Sequence, residues 1–433
     1  MNRTHDPEIQ YAPPAEIERC QSARLVGTMD YVAANSPYYR RLFAAHDIDP
    51  ATIRTLEDLT RLPVTTKEDL QLHGPDFVCV PPEKIADYVT TSGTLGDPVT
   101  FALTDADLDR LARNEALSFF TAGCAEGDIL QLMTTIDRRF MAGLAYFLGA
   151  RRLGIGVVRV GNGIPELQWD TIRRIQPTTC IAVPSFLIKL IEFAEANGMD
   201  YRASSLRRAV CIGESLRDGN FELNTLGRQI HDKWPELDLR STYASTEMQT
   251  SFTECACHRG GHLQPELIVV ELLDGDDRPV TPGTPGEVTI TTLGVEGMPL
   301  VRFKTGDICV GYHDRCGCGR TTMRLGPVFG RKGQMIKLKG TTLYPPAMFD
   351  VLDSVAEIDN YIVEVSSNDL GTDSVAVRIH SSDRSDEFVK RLKDIFRARI
   401  RVAPEVIFDS ADRIAHIQMP PMSRKPRKIV IFA

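Results

Sequence analysis

The sequence predicts an α/β protein with a large N-terminal domain and a small α+β C-terminal domain. Three observations predict it. The chain has 433 residues, more than one hydrophobic core usually serves. From about residue 80 to about residue 240, β-rich runs (DILQLMTT, GIGVVRVG, TTCIAVP, RAVCIG) alternate with amphipathic ones (DADLDRLARNEALSFFTA, SFLIKLIEFAEANG, DGNFELNTLGRQIHDKW), as in a mostly parallel sheet with helical crossovers. After Gly330 the order becomes strand, helix, strand, strand, helix, strand (MIKLKG, PPAMFDVLDSV, YIVEVSS, SVAVRIH, SDEFVKRLKDIFRARI, PEVIFDS), which predicts a separate α+β unit.

The segment before the first β-rich run carries helical periodicity, in AEIERCQSARLVGTMDYVAAN and again in TTKEDLQLHG, where Thr65 or Thr66 caps a turn followed by acids. Between residues 263 and 328, short alternating strands punctuated by Pro and Gly predict a compact antiparallel subdomain that closes the large domain. The expected domains are therefore 1–328 and 329–433.

Composition excludes several classes. With 42% hydrophobic and 25% charged residues, and Pro and Gly dispersed, the chain reads as globular and not disordered. A formal charge of −8 argues against nucleic acid or an anionic membrane as the main partner, although the basic C-terminal stretch is a local cationic patch. No apolar run approaches a membrane span and the start lacks the apolar stretch of a signal peptide, so a cytoplasmic location is expected. Of ten cysteines, four fall in C-x-C pairs that suit a metal in a reducing compartment, while Cys20, Cys79, Cys124, Cys180, Cys211 and Cys309 are expected to fill space.

Residues 87–100 gather hydroxyls and glycines after a β-like run. Such a loop offers N–H and O–H donors to a polyanion, and it reads equally well as an ordinary Ser/Thr/Gly turn. No Gly-Lys-Ser/Thr closes it, so it is not a Walker loop. Cys255, Cys257, His258 and His262, followed later by Cys316 and Cys318, supply enough soft and borderline ligands for a tetrahedral Zn²⁺ site. Glu247 follows a β-like run and is expected at the carboxyl edge of the sheet, where ligands of α/β folds bind.

Residues 90–98 (TTSGTLGDP) resemble the phosphate loop T-S-G-T-T-G-x-P of the adenylate-forming superfamily. Residues 243–247 (YASTE) resemble its Y-G-x-T-E, residues 302–307 (RFKTGD) its Y/F-R-T-G-D, and Gly330-Arg331 with residues 335–340 (MIKLKG) its G-R-x-D-D-M-I-x-x-x-G. The spacing, the LYPP run from Leu343 to Pro346 and the CGCGR element from Cys316 to Arg320 are similar to phenylacetate-CoA ligases in particular, nearly end to end.

The resemblance implies an ATP-dependent acyl-CoA ligase that activates a carboxylic acid, with an aryl or arylacetic acid as the prior, as an acyl adenylate and transfers the acyl group to CoA. It implies that Thr91, Ser92, Gly93, Thr94 and Gly96 hold the ATP phosphates, that Thr246 contacts the α-phosphate and that Glu247 coordinates Mg²⁺. Tyr243 and Ala244, with Ser245 beside them, would flank adenine, Glu214 would border the nucleotide and acyl pockets, Asp307 would accept both ribose hydroxyls, and Arg331 would lie near ribose and α-phosphate. Residues 140–146 and 161–163 would line the acid pocket. The family's catalytic lysine maps onto Lys425, with Lys428 the rival, and its structural zinc onto Cys255, His262, Cys316 and Cys318, with Cys257 and His258 as alternates.

The C-terminal domain would rotate between the two half-reactions. Gly333-Gln334 stands where the family carries hinge acids, and glycine can absorb such a rotation. Two other readings share these residues: a stand-alone adenylation protein loading a carrier-protein thiol, and a non-catalytic nucleotide-binding homologue. The oligomeric state is open, a homodimer included.

Overall fold

The structure, a computed structural model, describes residues 7–91, 98–334, 336–338, 341–367, 373–419 and 427–432. Helices α1 (Pro14–Asn35), α2 (Pro37–Ala45) and α3 (Lys67–His73) precede a hairpin of β1 (Ile85–Thr90) and β2 (Thr100–Thr104). Thr66 caps α3 in a reciprocal box with Asp69, and Thr104 caps α4 (Asp105–Thr121) in the same way with Asp107. There follow β3 (Ile129–Leu132), α5 (Met141–Leu153), β4 (Gly156–Arg159), α6 (Pro165–Ile175), β5 (Thr179–Ala182), α7 (Pro184–Ala196), β6 (Arg208–Ile212), α8 (Thr225–Lys233) and β7 (Asp238–Ser245). The strands β4, β3, β5, β6 and β7 lie side by side in that order, all parallel.

The central strands β3, β5 and β6 are short and largely apolar because helices cover both of their faces. Ile181, Val210 and Ile212 join Phe119, Tyr146 and Ala150 on one side. The alternate residues Cys180, Ala182, Ala209 and Cys211 meet Trp169, Leu187, Ile230 and Trp234 on the other. Cys79, Cys124, Cys180, Cys211 and Cys309 are buried free thiols, as expected of space-filling residues, while Cys20 is partly exposed.

Past β7 the sheet turns antiparallel through β8 (Thr250–Glu254), β9 (Gly261–His262), β10 (Ile268–Leu273), β11 (Pro285–Thr292), β12 (Phe303–Tyr312) and β13 (Arg324–Leu325), with β14 (Gly330–Arg331) added to β12. The antiparallel region expected over 263–328 is one arm of a 12-stranded sheet. It stays attached because the two-residue strands β9 and β13 bridge β8 to β12. The stretch DGNFEL, read as the start of a helix, is not helical: Asn224 accepts from Gly227 N and starts α8 one residue later.

A second core, built around Met348, Val363, Val377, Phe388 and Phe396, belongs to β15 (Ile336–Leu338), β16 (Thr341–Leu343), α9 (Pro345–Asp353), β17 (Ile358–Ser367), β18 (Asp373–Ser381), α10 (Asp386–Ile400), β19 (Glu405–Phe408), α11 (Ala411–Gln418) and β20 (Ile429–Phe432). Its four-stranded sheet runs β19-β18-β17-β20. Part of the basic tail is therefore structured, since Ile429–Phe432 pair in parallel with β17. This unit touches the large sheet's helices where Asp350 of α9 accepts a 2.9 Å bond from Thr225 N, at the first turn of α8. Among the described residues, no helix is long and apolar enough to cross a membrane.

Candidate functional site

Tyr243, Ala244 and Ser245 end β7 at the carboxyl edge of the parallel strands, and Thr246 to Gln249 make the tight turn into β8. Gln249 takes φ 48° to close it, and the Ser245 hydroxyl accepts from Met248 N at 3.3 Å. Pairing of β12 with β14 sets Asp307 opposite Arg331. One Asp307 oxygen accepts from the Tyr243 hydroxyl at 2.7 Å, and the other from Arg331 Nε at 3.1 Å. Burial first, and then the Asp307 charge, drives the Tyr243 hydroxyl far above its ordinary pKa, so it remains a donor to that carboxylate. The Tyr243 ring stacks on Phe252 with centroids 6.0 Å apart.

Glu247 is half-buried and makes no hydrogen bond or close ion pair among the described residues. Lys67, in the first turn of α3, lies beside it. Burial pushes the Lys67 ammonium pKa down, the Glu247 carboxylate opposes that fall, and Arg331 adds to it. Neighbouring Thr65 is strapped to the start of β12, its N–H donating to Arg302 O at 3.0 Å and its C=O accepting from Lys304 N at 2.8 Å. A signal for Lys67 was present: a lysine in the first turn of a helix opposes the helix dipole and calls for another reason to be there. Arg302, in the same motif as Asp307, is structural, since its buried guanidinium grips Glu271 and the Leu62 carbonyl.

Thr91 closes the β1–β2 hairpin. Its N–H donates to Val99 O at 2.9 Å and its hydroxyl accepts from Val99 N at 3.0 Å. Of the expected phosphate loop only Thr91 is described, at the end of the paired part of the hairpin; Ser92, Gly93, Thr94 and Gly96 lie outside the described residues. Glu214 follows β6 on the same sheet edge, and both its oxygens accept from Ser185, at 2.8 and 3.0 Å, at the start of α7. Of residues 140–146, Tyr146 is buried in the core, edge-on to Phe119. Lys425 lies outside the described residues. Lys428 is engaged within its own unit, donating to the Tyr361 hydroxyl at 2.8 Å and lying 3.4 Å from Asp353.

Cys255, His262, Cys316 and Cys318 converge, with one ligand atom from each inside a 4.8 Å span. The Cys255 and Cys316 sulfurs are 3.6 Å apart, and Cys318 Sγ is 3.5 Å from His262 Nε2. A tetrahedral zinc with Zn–S near 2.3 Å and Zn–N near 2.0–2.1 Å needs edges of roughly 3.5–3.8 Å, so this donor set fits the ion. His262 Nδ1 lies 3.2 Å from the Thr322 hydroxyl, which orients the ring. His258 turns instead toward Asp238, at 3.5 Å, and neither it nor Cys257 belongs to the converging group.

The model of the AMP-binding enzyme family matches residues 21–297. The phenylacetate-coenzyme A ligase of Thermus thermophilus is 30% identical, over 98% of this chain and 96% of its own. That of Escherichia coli is 29% identical, over 89% of this chain and 86% of its own. The structure of a 2-hydroxyisobutyryl-CoA ligase in the postadenylation state, in complex with R3-HIB-AMP, superposes with a TM-score of 0.84 at 22% identity, over 98% of this chain and 92% of that one. With the family model matching most of the chain and the likeness to relatives running end to end, the chain belongs to the AMP-binding enzymes, in the phenylacetate-CoA ligase family of adenylate-forming, acid–thiol ligases.

Proposed function

We propose that this protein joins an aryl or arylacetic acid to coenzyme A in two steps at one site. In the first, a carboxylate oxygen bonds to the α-phosphorus of ATP and the bond to pyrophosphate breaks. In the second, the CoA sulfur bonds to the acyl carbon, AMP leaves, and the thiol proton is released. The observation that carries the reading is the buried Asp307 carboxylate, held by Tyr243 and Arg331 at the sheet edge beside the Glu247 turn. An ionised, acceptor-only group fixed from behind suits a ribose diol.

Within this reading the Tyr243 ring and Ala244 form the adenine wall, and Thr246 with Thr91, Ser92, Gly93, Thr94 and Gly96 holds phosphate. Lys67 and Arg331 set positive charge against the leaving pyrophosphate and the α-phosphate. Glu247, a carboxylate without a protein donor among the described residues, fits a hard oxygen-ligated Mg²⁺, which when bound neutralises phosphate charge. The four converging ligands would bind a structural zinc with no position left for water. The engagement of Lys428 with Tyr361 and Asp353 favours Lys425 as the lysine of the adenylation step. We place the hinge at Gly333-Gln334 and the protein in the cytoplasm, with acid, ATP and CoA as its partners.

The acceptor decides between the ligase and the carrier-loading alternative. Acyl adenylate formed in place is offered CoA or a phosphopantetheinylated carrier protein, and the thioester is followed by mass. The proposal expects turnover with CoA; acylation of the carrier alone would assign the chain to carrier loading.

A further inference from the structure

The helix α4 meets β8 through polar groups where a hydrophobic seam would be the ordinary solution. Arg110, Asn114 and Ser118, spaced four apart on one helix face, are all buried. Ser118 Oγ lies 2.6 Å from Thr253 Oγ1. Asn114 donates to Ser251 Oγ at 3.0 Å and accepts from Ser251 N at 3.1 Å. Arg110 donates to Gln249 O at 2.7 Å, Thr250 Oγ1 at 3.2 Å, Leu267 O at 2.5 Å and Leu293 O at 2.8 Å.

The spacing is mechanical. Four helical residues rise about 6 Å and two strand residues about 6.6 Å, so one helix face meets alternate residues 249, 251 and 253 rung by rung. An apolar seam would tolerate a two-residue slip of β8, which keeps the same face inward. These rungs do not tolerate it, because each donor would lose its acceptor in a dry interior. Arg110 is the unusual member: a buried cation with no carboxylate in ion-pair range among the described residues, satisfied by neutral oxygens of three separate segments. A buried charge contributes little net stability, and four bonds to fixed carbonyl and hydroxyl oxygens hold the Arg110 guanidinium in one position. What it positions is the end of the 246–249 turn, where Gln249 carries its left-handed φ.

We propose that the Arg110–Asn114–Ser118 ladder is a register lock for the β7–β8 hairpin, and that Arg110 is a positioning residue that presents Thr246 and Glu247 to the nucleotide and its cation. The catalytic part of this statement rests on the role of Glu247 proposed above; the register lock does not.

The test compares Arg110→Gln with Ser118→Ala, which removes only the rung farthest from the turn. Amide hydrogen exchange is read in the ligand-free protein, and the Mg²⁺ midpoint of ATP–pyrophosphate exchange in the working enzyme. Arg110→Gln is expected to speed exchange of the amides at 246–250 by about 10-fold or more and to raise the Mg²⁺ midpoint by about 5-fold, leaving the acid KM within about 2-fold. Ser118→Ala should leave both within about 2-fold. If Arg110→Gln fails to fold, Thr250→Val, which removes one acceptor at constant volume, should move both readouts in the same direction by a smaller factor. Unchanged turn exchange in the folded variants, or an equal change in Ser118→Ala, overturns the lock. A parallel Glu247→Gln variant separates the two ideas: an unmoved Mg²⁺ midpoint there refutes the role of Glu247 alone, and the exchange data still decide the ladder.

Discussion

Replacing Asp307 by Asn keeps the volume of the side chain and removes its charge. The Asp307 side chain is only 9% exposed, and its two oxygens are already anchored, one by Tyr243 and one by Arg331. In the variant one acceptor becomes an N–H donor. If the amide nitrogen faces Arg331 two donors oppose each other; if it faces Tyr243 the hydroxyl must reverse. Each charge-assisted hydrogen bond contributes about 1.5–3 kcal/mol, and one of the two made to the ribose diol would be lost. About 2–3 kcal/mol corresponds to a fall of roughly 30- to 150-fold in kcat/KM for ATP. The Arg331 side chain is 38% exposed and rehydrates readily, so Tm should move by only a few degrees. The assay is ATP–pyrophosphate exchange at saturating acid with ATP varied. A kcat/KM for ATP within about 3-fold of the parent would refute the ribose-anchor reasoning, as would a matching loss in the KM of the acid.

Three further outcomes follow from the same geometry. Elemental analysis should find about one zinc per chain, and Cys316→Ser should abolish it and lower Tm, since the loops at 255–262 and 316–318 lose their shared tether; a metal-free parent of unchanged Tm after the substitution would remove the site. Lys425→Ala should suppress acyl-adenylate formation yet spare thioester formation from supplied acyl adenylate, whereas Lys428→Ala should weaken both through the fold; the reverse pattern would make Lys428 the adenylation lysine. Burial pushes the Glu115 carboxyl up to about 8, so its proton is retained on folding. The stability this gives is complete below the ordinary carboxyl range near pH 4.5 and is lost as pH rises through about 8, at up to about 1.4 kcal/mol per unit. Glu115→Gln should therefore gain on the parent between pH 5 and pH 8 in denaturant titrations; a pH-independent difference would contradict it.

Much of the fold was legible because its signals are local. Runs such as TTCIA and RAVCI are short and apolar on both faces, and they can only be interior strands between helices. The antiparallel arm was legible as strands but not in its attachment, since Gly261–His262 and Arg324–Leu325 are too short to show a period. β20 was hidden by its setting: four apolar residues after a basic stretch look like a tail until β17 offers them an edge. At the site, the motifs named Tyr243 and Asp307 separately, but their hydrogen bond spans 64 residues and has no sequence signature. Lys67 and the ladder residues had signals that conflict with local expectation, a cation at a helix start and polar residues on a buried face. Both conflicts arise where a site or a register must be held.

The central claim is tested most directly by the products made from a panel of aryl, arylacetic and short aliphatic acids with ATP and Mg²⁺, first without CoA and then with it. An enzyme-bound acyl adenylate is expected in the first case. In the second, acyl-CoA, AMP and pyrophosphate are expected in equal amounts, with an aryl or arylacetic acid turned over fastest. Release of ADP in place of AMP, or absence of any adenylate from every acid in the panel, would contradict it.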